Sequence, residues 1–139
     1  MDFEEFQEKF NEVLRTGDEL LLVEIKNKLT SNSEPGCYMF IANLHEPEEG
    51  LLVDGELIKK EIKEKFTDVV EEMYYKKLAF ENCKKRAESG EYDYMSTLAE
   101  LYVRGEGTEK NEKQAEYWLD KLYIEREGIT YKEWLTKNA

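Results

Sequence analysis

The single histidine of this 139-residue chain, His45, and its two cysteines, Cys37 and Cys83, bound the chemistry its side chains can perform. One imidazole and two thiols without a Cys-x-x-Cys spacing cannot assemble a multi-histidine or cysteine-histidine metal centre. His45 falls on Tyr102 when the chain is slid against itself by 57 positions, so it reads as a packed position between helices rather than as a general base. Both cysteines also lie in apolar stretches and read as buried free thiols. Carboxylate neighbours such as Glu71 and Glu72 arise by chance in a chain with 32 acidic residues, and nothing marks one of them as a tuned acid. The run GEGTEK around Gly105 has two glycines of a phosphate-binding loop. It lacks the third glycine of a dinucleotide fingerprint and the Gly-Lys-Ser/Thr ending of a nucleotide loop. The expectation is a protein without catalytic residues, metal or cofactor that acts by recognition.

Charge narrows what it recognises. Thirty-two acids against 20 bases leave a net charge of -12, which repels a phosphate backbone and excludes nucleic acid as a partner held by charge. The expected partner is another protein, basic or neutral. Residues 1 to 60 hold 14 acids and 6 bases, whereas residues 61 to 139 hold 18 and 14, so the N-terminal part is the more acidic surface. Its HEPEEG loop places Glu46, Glu48 and Glu49 together, with Asp54 and Glu56 close behind. These five are candidate contacts for a basic partner; for any one of them the alternative is a solvated charge that keeps the chain soluble. Tyr74, Tyr75, Tyr92 and Tyr94 are further candidates, because tyrosine gives contact area at small entropic cost and neighbouring helical residues cannot all face inward.

The elements that position these residues are clearest over residues 86 to 123. Leu98, Leu101 and Tyr102 recur at helical spacing, as do Ala115, Trp118 and Leu122, which predicts two helices each with one apolar stripe. Gly105 and Gly107 supply the reversal between them, and Asn111 followed by Gln114 has the capping-box spacing that starts the second helix. Together with Ala87, Gly90, Lys110 and Lys121, the order of these residues resembles the Sel-one-like repeat, a relative of the tetratricopeptide repeat. The chain departs from it in having Tyr94 and Leu122 where the family usually has Ala, Ala99 where it has Gly, and Thr108 where it has an aliphatic residue. The resemblance implies a helix pair that displays a binding surface, with Tyr94, Glu100 and Arg104 on the first helix as candidate contacts.

A helix pair cannot bury its own apolar face, so a second copy is expected. Shifting the chain by 57 positions lays Ile41, Ala42, Leu44, His45, Gly50, Asp54 and Ile58 over Leu98, Ala99, Leu101, Tyr102, Gly107, Asn111 and Ala115. Residues 41 to 65 therefore read as a degenerate repeat in which Asp54 caps the second helix. The competing reading takes Asp54-Gly55 as the turn of a β-hairpin and residues 37 to 44 as a strand, which would make residues 37 to 60 part of an α+β fold.

The rest is helical. Phe3, Phe6, Phe10, Val13 and Leu14 share one face of a helix that ends at Thr16-Gly17, and Asp18 caps the next through Leu22, Ile25 and Leu29. Residues 31 to 36 form a loop. Asp68 with Glu71 starts a long helix whose buried stripe is read as Val69, Met73, Phe80, Cys83 and Ala87. Thr130 and Glu133 box the last helix, with Ile129 facing Trp134 as a staple. With 40% of its residues hydrophobic and 12% aromatic, the chain reads as one all-α helical-repeat domain over residues 1 to 139, monomeric by itself. The acidic opening decapeptide predicts no secretory leader, no run approaches a membrane span, and the expected location is cytoplasmic. The expected function is that of an acidic inhibitor, of the kind that immunity proteins are, which neutralises a basic partner such as a nuclease toxin. The alternative is a scaffold or adaptor gripping a peptide or helix in its groove.

Overall fold

Asp2 starts the first helix by accepting the backbone N–H of Glu5 at 2.8 Å, satisfying one donor that no helical carbonyl can reach. This computed structural model describes residues 1–48 and 50–139; Glu49, one of the candidate contacts, lies outside the described residues. The fold is all-α. Eight helices, α1 (Phe3–Thr16), α2 (Glu19–Lys28), α3 (Pro35–His45), α4 (Lys60–Phe66), α5 (Val69–Glu88), α6 (Tyr92–Arg104), α7 (Glu112–Glu127) and α8 (Tyr131–Lys137), account for the described elements apart from one small hairpin. The described residues fall into two compact units, Met1–Ala79 and Phe80–Ala139, with the boundary inside α5.

In the first unit, Phe6, Phe10, Val13 and Leu14 of α1 are buried as their spacing predicts. Gly17 closes α1 in the left-handed region, and the Asp18 side chain accepts the N–H of Leu21 to open α2. These side chains meet Ile41, Ala42 and Leu44 of α3, Ile62 and Phe66 of α4, and Tyr75 and Ala79 of α5 in one core. Lys63 donates to the carbonyls of Asn43 and Leu44 at 2.9 and 3.0 Å, satisfying two acceptors that the end of α3 leaves open.

Residues 37 to 44, the possible strand, lie within α3, where Pro35 at the first turn lacks only an N–H the helix does not need. The hairpin itself is present but small: Leu52↔Leu57 and Val53↔Glu56 pair antiparallel. Asp54 and Gly55 form its turn with φ of 55° and 82°, the two positive values that a two-residue hairpin loop of this hand needs. Asp54 is therefore not the start of a helix. The next helix begins at Lys60, because an Asp-Gly pair between apolar dipeptides closes more readily as a hairpin than as a helix cap.

The buried side of α5 also differs from the expected one. In the first unit Glu72, Tyr75 and Ala79 are buried while Val69 and Met73 are exposed; in the second Asn82 is buried together with Cys83 and Ala87, the two that were expected to be. In the first unit the helix has apolar residues on more than one face, and the core takes the one that carries Tyr75 and Ala79. Asp68 starts α5 as expected, its side chain accepting the N–H groups of Val70 and Glu71 at 3.0 and 3.2 Å.

In the second unit, Met95, Leu98, Ala99, Leu101 and Tyr102 of α6 pack with Ala115, Trp118 and Leu122 of α7. The reversal is built as the sequence indicates. Gly105 caps α6 with φ of 68°, the N–H of Glu106 donates to Leu101, the N–H of Asn111 donates to Tyr102, and the Asn111 side chain caps α7 through Gln114. An added Cβ at Gly105 would sit 3.2 Å from the Lys110 nitrogen in a conformation disfavoured for L-residues. Gly105→Ala is expected to cost about 1–2 kcal/mol in urea unfolding. The boxed α8 docks through Tyr131 and Trp134, whose rings lie 5.0 and 5.2 Å from that of Tyr123, and through the Tyr131 N–H on Asp120.

Candidate functional site

His45 ends α3 and is buried. Its Nδ1 faces the carbonyl of Phe66, which can only accept, so Nδ1 carries the hydrogen and Nε2 holds the lone pair. Lys26 from α2 donates to that lone pair at 2.9 Å; it also lies 3.9 Å from Glu71 and 5.0 Å above the Tyr75 ring. Burial lowers the pKa of both His45 and Lys26, and the Lys26 charge lowers that of His45 further. The lone pair a general base would use is occupied by the ammonium, and the ring is stacked on Tyr75. The arrangement clamps α2, α3, α4 and α5 of the first unit together. Cys83 is equally closed: burial pushes its thiol up to about 12, which keeps it protonated.

The acidic candidates lie at two places on the first unit. Glu46 and Glu48 follow α3, with Glu46 accepting the N–H of Glu48. Asp54 and Glu56 are exposed on the hairpin, but the Asp54 carboxylate is held by Arg15 of α1 through two bonds of 2.6 and 2.9 Å. That partner holds the Asp54 carboxyl below its usual range, so part of the charge expected for an outside partner is used within the unit. The α3 end is different. The N–H of Asp68 donates to the carbonyl of His45 at 2.9 Å, which brings the Glu46–Glu48 turn beside the start of α5.

The start of α5 carries a feature that sequence reading misses. Val70, Met73 and Tyr74 recur at helical spacing and are 78%, 66% and 54% exposed, making an uncovered apolar stripe next to the acidic turn. Val69 and Met73 were expected inside, and Tyr75 was expected at a surface; Tyr75 is instead 7% exposed in the core, stacked on Tyr38, with its hydroxyl pushed up to about 12 chiefly by burial. The available signal is the Tyr74-Tyr75 pair itself. Adjacent helical residues diverge by roughly 100°, so one of them must face outward.

Candidates in the second unit are separate from these. Tyr92 at the start of α6 is exposed, and a hydrogen bond with Glu125 raises its hydroxyl pKa. Tyr94 is half-buried under the Arg86 guanidinium, 5.1 Å from its ring centre. Glu100 and Arg104 are exposed on α6 and paired with each other at 2.7 Å. Tyr94, Glu100 and Arg104 thus share α6, the first helix of the pair.

Taken together, these features describe an all-α helical array with an acidic turn beside an exposed apolar helix stripe. Among the described residues no group of three or more His, Cys, Asp or Glu is placed to hold a metal ion, and no helix is long and apolar enough to cross a membrane. No protein family model, curated protein or solved structure matches the chain.

Proposed function

We propose that the chain is a non-catalytic recognition protein that binds and occludes a basic partner protein, in the manner of an immunity or inhibitor protein. The observation that carries this reading is the exposed Val70, Met73 and Tyr74 stripe beside the Glu46–Glu48 turn. A desolvated apolar and aromatic centre with a charged rim is the arrangement from which protein interfaces draw affinity and association rate. The sign of the rim selects a basic partner: residues 1 to 79 hold 19 acids against 10 bases. A toxin enzyme with a cationic substrate-binding surface has the matching chemistry. The α6–α7 pair, with Gly105 in the left-handed region and Asn111 as cap, supports its reading as a Sel-one-like repeat. That pair favours the adaptor as the second reading, since α6 presents Glu100 and Arg104 outward.

The test is capture of partners from the native host on the immobilised chain, compared across variants. The inhibitor reading expects a basic protein retained by the unaltered chain and released by Met73→Glu, with affinity lowered about 30-fold or more, the loss of a central contact. Glu46→Lys with Glu48→Lys is expected to slow association about tenfold at low salt and less at high salt. Retention of neutral peptides that respond to Glu100→Ala and Arg104→Ala, and not to Met73→Glu, would replace it with the adaptor reading.

A further inference from the structure

A second feature, independent of the α5 stripe, lies wholly in the Phe80–Ala139 unit. A recess of about 490 Å³ opens between the C-terminal half of α5 and α7, lined by Lys84, Glu88, Gln114, Tyr117, Trp118 and Lys121. Its polar groups are mostly donors: two ammonium groups, a carboxamide and an indole N–H. Among the described residues none of these donors has a hydrogen-bond acceptor. Among the described residues neither lysine has a carboxylate within ion-pair distance, and Lys121 lies 5.4 Å above the Trp118 ring. Trp118 is 4% exposed, and its Nε1 is the only buried side-chain nitrogen or oxygen among the described residues without a hydrogen-bond partner. Buried indole N–H groups ordinarily find an acceptor, so an orphaned one in the wall of a recess marks a place where an acceptor from outside belongs.

We infer that this recess is a site for an acidic peptide segment, which it holds by one carboxylate. Charge balance sets the number. Lys84 and Lys121 contribute two positive charges and Glu88 one negative, so the recess carries a single net positive charge in a unit that is acidic as a whole, with 13 acids against 10 bases. One carboxylate neutralises it. A phosphate dianion would leave an excess of negative charge beside Glu88, and a longer polyanion would meet the acidic remainder of the unit. The ligand carboxylate sits between the two ammonium groups. The Trp118 indole N–H, which has no acceptor among the described residues, is the further donor that Trp118 brings to this recess. The exposed ring of Tyr117 offers contact area to the apolar neighbours of the bound acid.

The test uses the full chain, labelled with nitrogen-15, and two blocked tripeptides, acetyl-Leu-Glu-Leu-amide and acetyl-Leu-Gln-Leu-amide. The indole N–H resonance of Trp118, told from that of Trp134 by a Trp134→Phe variant, is followed during titration. The expected result is a saturable downfield shift with the glutamate peptide and at least tenfold weaker binding of the glutamine peptide. Lys84→Met with Lys121→Met is expected to weaken the glutamate peptide about tenfold or more. Glu88→Gln is expected to tighten it about threefold, a gain that misfolding cannot imitate. Equal binding of the two peptides, no saturable shift, or an affinity that Glu88→Gln lowers or leaves unchanged would overturn the assignment. Saturation by inorganic phosphate at lower concentration than the peptide would overturn it in favour of a phosphate site.

Discussion

Replacing His45 with Ala is expected to lower the stability of the fold by about 3 kcal/mol, through an orphaned Phe66 carbonyl and an unfilled space in the core. Acid is expected to act on the same point in the unaltered chain. The imidazole is held neutral, with Nδ1–H on Phe66 and Nε2 on the Lys26 ammonium. Protonation would give Nε2 a hydrogen facing an ammonium group 2.9 Å away, so one of the two contacts must break. The groups facing the ring are Lys26 from α2 and Asp68, Glu71 and Tyr75 from the start of α5. The two acids favour the charged ring, while burial, the largest cause, and Lys26 disfavour it, with a net lowering from the ordinary value of 6.5. The unfolded chain therefore binds a proton at a higher pH than the folded one. Stability is complete above about pH 6.5 and falls as the pH drops below it, until the folded imidazole is also protonated. Urea unfolding at pH 7.5 and 5.5 measures the difference, and imidazole resonances locate the titration. Lys26→Met is expected to raise the His45 pKa toward 6.5 and to shrink the acid loss. A folded-state titration at or above 6.5 in the unaltered chain would rule out the clamp.

The residues of this clamp show where sequence reading succeeds and where it stops. The inward placement of His45 is legible from its register with Tyr102, a position on an apolar helical stripe. Its partners are not legible, because Lys26 and the Phe66 carbonyl are brought to it only by the packing of separate helices. Helix ends are legible for the opposite reason. Gly17, Asp18, Gly105, Asn111 and Thr130 act on backbone groups within a few residues of themselves, so each is readable from its neighbours.

The two misplaced features follow the same physics. Asp54-Gly55 is a local hairpin signal, and it prevails over a register match with a segment 57 positions away because turn closure needs no distant partner. On α5, Val69, Val70, Met73, Tyr74, Tyr75, Leu78 and Ala79 cover more than one face. Periodicity cannot choose among faces that are all apolar; that choice is made by which face the core of the first unit covers. Of the candidate contacts, Glu46, Glu48, Glu56, Tyr74, Tyr92, Tyr94, Glu100 and Arg104 are at least partly exposed, Asp54 is exposed but paired with Arg15, and Tyr75 is taken by the core.

The face that the core does not cover is the basis of the proposed function, and a pair of alanine substitutions separates it from the face that is covered. Phe10 is buried in the first unit, 5.2 Å from the Phe6 ring and 6.0 Å from that of Phe40. Phe10→Ala is expected to cost about 3–5 kcal/mol, since its neighbours belong to different helices and cannot all close on the space left behind. That is a large part of the roughly 5–15 kcal/mol that holds a domain of this size together. Met73 has a side chain of similar hydrophobic value, yet it lies mostly in water. Met73→Ala is therefore expected to change stability by no more than about 0.5 kcal/mol, as for an ordinary surface position. The contrast matters for function because an apolar side chain that contributes nothing to folding, beside an acidic turn, is free to contribute to binding. Urea unfolding of the two variants decides it. A Met73→Ala loss approaching that of Phe10→Ala would mean that the stripe is covered in the native protein, and the interaction surface on α5 would lose its foundation.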